Sequence, residues 1–101
     1  MEFKNLENLL IILTNGLEKN NFDEDEQIIR NLCSSLKDIK REIPSTAKIE
    51  KIKKDVNYLE IKYDVFNELS YYFNPIYIKI KNKIHDENIK KIREENRKKE
   101  I

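Results

Sequence analysis

IEKIKKDVNYLEIKYDVFNELSYYF, residues 49–73, is the stretch that decides the fold. Ile49, Ile52, Val56, Leu59, Tyr63, Phe66 and Phe73 fall on the a and d positions of one heptad frame that only Ser70 interrupts. Most positions off that frame are Lys, Glu, Asp or Asn. The spacing predicts one amphipathic helix over 46–73, about 27 residues and roughly 40 Å long, laying a narrow apolar stripe against its neighbours.

Similar stripes flank this segment. Phe3, Leu6, Leu10, Leu13 and Leu17 keep the same spacing, broadened by Leu9 and Ile12, so a first helix is expected over 2–19. Gly16 lies inside it at a cost of about 1 kcal/mol relative to Ala, which suits either a close crossing or a frayed end. A second helix is expected over 23–43. Asp23 would be its N-cap with Glu26 three residues on, Glu24 and Asp25 would face the positive end of the helix dipole, and Pro44 would end it. Ile29, Leu32, Leu36, Ile39 and Ile43 supply its stripe, broadened by Ile28 and Cys33. Ser45 or Thr46 would start the long third helix.

Asn74-Pro75 predicts the next break, since Pro lacks an N–H and sits well at the first position of a new helix. Ile76, Ile78 and Ile80 alternate as in a strand, but Ile76, Ile80 and Ile84 match helical spacing, and a lone strand would have no partner. A fourth helix over 75–98 follows, ending in a charged tail. The fold class is therefore all-α: one domain, 1–101, built as an antiparallel four-helix bundle or helical hairpin array with a long third helix and a projecting C-terminal helix. Its expected core is Phe3, Leu6, Leu10, Leu13, Leu17, Ile29, Leu32, Leu36, Ile39, Ile52, Val56, Leu59, Phe66 and Phe73.

Composition agrees and narrows the function. Charged residues make up 39% of the 101, with one Gly and two Pro, a mixture that favours helices over turn-rich sheets. The net charge of +1 is unevenly placed: residues 1–47 carry six basic and nine acidic side chains, against fourteen and ten in 48–101. Cys33 is the single cysteine, which excludes an internal disulfide and suits a reducing, cytoplasmic setting. No apolar run approaches the roughly 20 residues of a membrane span, and the start lacks a signal-peptide pattern, so no membrane role is expected.

The residues for catalysis are missing. Cys33 and the single His85 have no third group or oxyanion loop to make a nucleophile and base. One Cys and one His cannot form a zinc site, and the Asp23–Glu26 run lacks the glycine and distal Glu of a calcium loop. One glycine excludes a P-loop or dinucleotide fingerprint. No enzyme, cofactor, metal or small-molecule substrate is expected.

Two features point to binding. Tyr71, Tyr72, Phe73 and Tyr77 crowd the Asn74-Pro75 site, and consecutive helical positions cannot all face one core, so at least one aromatic is exposed. Tyr71, Tyr72 and Tyr77, with Ile89 and Ile92 further along, are the candidate contact residues for a protein partner or for self-association as a coiled coil. Residues 76–99 also hold nine Lys or Arg against four acids, and Lys79, Lys83, Lys90, Lys91, Arg93 and Arg97 form the candidate nucleic-acid stripe.

Ile29, Arg30, Asn31, Leu32, Ser35, Leu36 and Ile39, followed by the YLEIKY run of Tyr58 to Tyr63, resemble the small helical subunit of type III CRISPR ribonucleoprotein effectors. The resemblance covers about a third of the chain. It implies copies stacked along a guide RNA, with Arg30, Lys37 and Lys62 near nucleic acid. The chain departs from that family at Asn67, Glu68 and Leu69 and in its charged C-terminal tail. The function expected is that of a non-enzymatic helical module acting as a subunit, adaptor or inhibitor of a larger assembly, the alternative being an RNA-binding small subunit.

Overall fold

Each apolar stripe becomes one wall of a bundle. The computed structural model describes residues 4–99, with side chains through residue 89. Its helices are α1 (Lys4–Lys19), α2 (Glu26–Ile39), α3 (Thr46–Lys62) and α4 (Leu69–Lys99), with no strand among the described residues. Each packs on its neighbours in the order α1–α2–α3–α4–α1. Polar pairs show the direction of each: Lys40 after α2 meets Glu7 at the start of α1, and Lys81 of α4 meets Glu50 at the start of α3. The chain is an up-down-up-down, all-α bundle.

Helix starts follow local chemistry. Ser45 accepts the Lys48 N–H at 3.2 Å and caps α3. The second helix begins later than 23 and ends earlier than 43. Asp23 does not cap it: its backbone is left-handed (φ 48°), its N–H donates to Asn21 Oδ1, and Asp23–Asp25 form a 3₁₀ turn before α2. That turn buries Phe22 and points Asp25 inward, which a helix starting at 23 would not do. After Ile39 the chain turns through 40–42 to a buried Pro44, which disfavours helical geometry in Ile43.

The long third helix is two helices. Tyr63 adopts extended backbone (φ −125°, ψ 121°), Asp64–Phe66 form a 3₁₀ turn, and the chain reverses into α4. Phe66 and Phe73 fit the heptad frame of α3 but lie in the next seam, which buries Phe66, Leu69, Phe73, Ile76 and Ile80. That seam runs across Pro75 without a break. Glu60 Oε2 accepts the Ser70 N–H at 2.7 Å, satisfying one of the orphan donors of α4 from the preceding helix. Pro75 lies inside α4, so the break expected at Asn74-Pro75 is absent. Its missing N–H leaves the Tyr71 carbonyl unbonded within the helix, on a face where Tyr71 and Pro75 are both exposed to water.

The core is correspondingly rephased. Leu6, Leu9 and Leu13 are buried on α1, whereas Leu10 and Leu17 are half-buried at its margin. Ile49, Leu69, Ile76 and Ile80 join the core; Phe3 lies outside the described residues. Gly16 is the close approach. A Cβ there would lie 2.7 Å from Cε1 and Cζ of the Phe66 ring, which is stacked 5.2 Å from Phe22 and held edge-on by Tyr63.

Two stability measurements test this arrangement. Gly16→Ala gains about 1 kcal/mol of helix propensity but overpacks Phe66 at a cost of about 1–3 kcal/mol. Urea unfolding should therefore show a net loss, less than additive with Phe66→Leu. Pro75→Ala should restore a helical hydrogen bond and stabilise by about 1–3 kcal/mol; a neutral or destabilising result would place Pro75 at a helix start instead.

Candidate protein-binding surface

Two polar clusters lock the bundle before any surface is left for partners. Asp25, 5% exposed, receives the Tyr58 hydroxyl at 3.1 Å, the Tyr63 hydroxyl, and the Lys62 ammonium at 2.7 Å. The Lys62 hydrogen bond, then that of Tyr63, hold its carboxyl below the ordinary 3.8 against the opposing effect of burial. Asp25 in turn raises Lys62 and Tyr63 above their usual values. At the α3–α4 contact, Glu50 Oε1 accepts from Tyr77 at 2.5 Å and Lys81 at 2.9 Å, which lowers its pKa and raises theirs. Lys53 Nζ sits 4.2 Å from the Tyr77 ring centroid, a cation–π contact.

Tyr77, one of the candidate contact residues, is thus half-buried in the α3–α4 contact rather than freely presented. Tyr72 is half-buried against the core and meets Tyr71 edge-on at 5.1 Å. Tyr71 itself is 77% exposed. With Phe73 fully buried, the aromatic run divides between core and solvent. Ile89 is half-buried, Lys79 exposed and Lys83 half-buried. The side chains of Lys90, Lys91, Ile92, Arg93 and Arg97 lie outside the described residues.

The turn of 100° per residue places Tyr71, Pro75, Ile78, Asn82 and His85 together on the side of α4 opposite its buried seam, and all are exposed. Ile78 is 58% exposed. Tyr71 is singled out by the sequence, but the rest of this face is not, because Ile78 reads as part of a strand pattern and Pro75 as a break. Lys79 and Lys83 flank it on the α1 side, and Lys81 flanks it on the other, where it bonds Glu50. Arg30 pairs with Glu26 at 2.8 Å and Lys62 with Asp25, while Lys37 is exposed on α2. A second apolar exposure, Ile61 and Val65, lies at the α3–α4 turn.

Cys33 is half-buried, and burial pushes its thiol up, away from the reactive thiolate. His85 is exposed on α4, with Lys83, Asp86 and Glu87 near it in sequence. Among the described residues no group of three or more His, Cys, Asp or Glu could hold a metal ion, and no helix is long and apolar enough to cross a membrane. Comparison with protein-family models, with curated proteins and with solved structures finds no match to this chain.

The two carboxylates set a pH dependence. Both folded-state values are depressed, so the unfolded chain binds more protons as acid is added. Their contribution is complete above the ordinary 3.8 and 4.5 and is lost as pH falls below them. Tyr63 and Tyr77 are raised from 10.0, so theirs is complete below pH 10 and lost above it. Urea midpoints should fall at both limits. Asp25→Asn should lower the midpoint at neutral pH and flatten the acid limb; an unchanged acid limb would remove Asp25 from this role.

Proposed function

We propose that this chain is a non-enzymatic, protein-binding helical module of the cytoplasm, acting as a subunit, adaptor or inhibitor of a larger assembly through the outer face of α4. The observation that carries this reading is the mismatch between α4 and its neighbours. α4 has 31 residues, about 46 Å, against 14 to 17 in the other three helices. Its outward face keeps Tyr71, Pro75 and Ile78 in water, although polar residues are the usual occupants of such a face. Exposed aromatics and aliphatics in a row are the ordinary composition of a docking site.

The alternative reading, a nucleic-acid surface, would use the basic flank beside this face. Of the candidate nucleic-acid stripe, the described side chains Lys79 and Lys83 lie together on one side of the uncharged face, while Lys81, which is outside that stripe, lies on the other side and bonds Glu50. Phosphate binding relies on clustered positive charge and weakens steeply with salt.

The test is capture from the native organism at moderate salt, comparing wild type with a Tyr71→Ala, Ile78→Ala variant. Both positions are exposed, so the variant should keep its stability within about 0.5 kcal/mol. The expected outcome is a protein partner retained by wild type and lost by the variant. Equal capture by both would remove the α4 face from the binding site, and RNA captured in a salt-sensitive manner would transfer the function to nucleic acid.

A further inference from the structure

The outer residues of α4 follow a rule of their own. Tyr71, Pro75, Ile78, Asn82, His85 and Ile89 are separated by steps of 4, 3, 4, 3 and 4, the spacing of a coiled-coil seam. None is Lys, Arg, Asp or Glu, in a chain whose residues are 39% charged. This seam is opposite the one that α1 and α3 cover, so α4 carries two seams and the chain itself covers only one. Burial on the inner seam ends at Ile80, with Ile84 half-buried, while the helix continues to Lys99.

We propose that the outer seam of α4 is a homodimer interface, on which the α4 of a second copy packs antiparallel about a two-fold axis between Asn82 and His85. This rests on the protein-binding reading above and names its first partner. A seam with steps of 3 and 4 selects a helix as occupant. The second copy is selected by self-complementarity, which an isologous two-fold contact requires. With the axis between Asn82 and His85, Ile78 packs against Ile89 of the second copy and Asn82 faces its His85. At the flank, Lys79 meets Asp86 of the second copy, and the symmetry makes every pair twice. Lys81 faces Asn88, so no like charges oppose one another among the described flanking residues.

Register and direction follow from the same letters. A slip of one heptad would set Asn82 against Ile78 of the second copy, leaving an amide against an apolar side chain; the in-register pairing keeps polar with polar and Ile with Ile. A polar seam residue that fixes register is a known coiled-coil device. A parallel pairing would instead set His85 on His85 and align the two α4 dipoles, whereas antiparallel helix dipoles attract. In the antiparallel arrangement Tyr71 and Pro75 lie along the continuation of the second α4 beyond Ile89. The two helices then overlap from Tyr71 to residue 96, about 39 Å.

The test is the mass of the purified full-length chain in solution by sedimentation equilibrium over a range of concentrations. The expected result is twice the 12.2 kDa of one chain, falling to 12.2 kDa for Ile78→Lys with Ile89→Lys while helical circular dichroism is retained. A wild-type mass of one chain throughout, or a charged variant that stays dimeric, overturns the proposal. Disulfide mapping decides independently of that variant's folding. In a Cys33→Ser background, chains with Ile78→Cys mixed with chains with Ile89→Cys should cross-link one kind to the other. Cross-links only between like chains overturn the antiparallel pairing. A monomer that still captures another protein through α4 overturns self-pairing alone, whereas a face that neither pairs nor captures overturns the binding reading as well.

Discussion

The bundle depends on the Phe66 ring lying against the bare backbone of Gly16. The ring closes the space between the end of α1 and the turn from α3 to α4, fully buried with Phe22 on one side and Tyr63 on the other. This contact places the reversal of the chain at 63–68. Once it is there, α3 matches α1 and α2 in length, and α4 must begin at Leu69. With Leu69 inward, the pitch of the helix turns Tyr71 and Ile78 outward. A side chain at position 16 would therefore disturb more than one ring, because the displaced Phe66 also supports Tyr63, whose hydroxyl bonds Asp25.

Apolar packing alone would leave the helices free to slide. The stripes are rows of Leu and Ile, and their burial is favourable but non-directional. Asp25 and Glu50 supply direction. Each is a carboxylate drawn into a contact between elements and met there by a tyrosine hydroxyl and a lysine ammonium. A shift in register would strip those partners from Asp25, which has little access to water, a costly state, and would break the contacts of the half-exposed Glu50. No buried polar side-chain atom among the described residues lacks a partner. The clusters thus fix α3 against the start of α2 and against α4 after hydrophobic burial has brought them together.

The sequence was legible where a single helix face decides the outcome. The all-α class and the apolar stripes follow from spacing alone, and local chemistry narrows the cap of α3 to Ser45 or Thr46, of which Ser45 is the one used. The division of residues 46–73 was not legible, because Phe66 and Phe73 continue the α3 heptad frame by coincidence of phase while belonging to the 3₁₀ turn and to α4. The signal that could have found it is Leu69, Phe73, Ile76, Ile80 and Ile84, a seam that crosses Pro75 unbroken. Proline argued for a break there, yet its missing hydrogen bond falls on the wet side of α4. Asp25 was misplaced for a related reason: an acid in the first turn of a helix has a sufficient local explanation, and Lys62 and Tyr63, which draw it inward, are nearly forty residues away.

The outer face of α4 poses the sharpest physical question in the molecule. A solvated helix face is best filled with Lys and Glu, which have higher helix propensity than Asn, Tyr or Ile and far higher than Pro. This chain is rich in both, and α4 carries them from Lys79 onward but not at Asn82, His85 or Ile89 of that seam. Helix stability alone therefore disfavours the residues found there, and Pro75 most of all. Bundle stability does not explain them either, since they make no core. A second helix on the seam accounts for both facts: it covers Ile78 and Tyr71, gives Asn82 a polar counterpart, and tolerates Pro75, which presents its ring outward and needs no backbone donor at a side-chain interface.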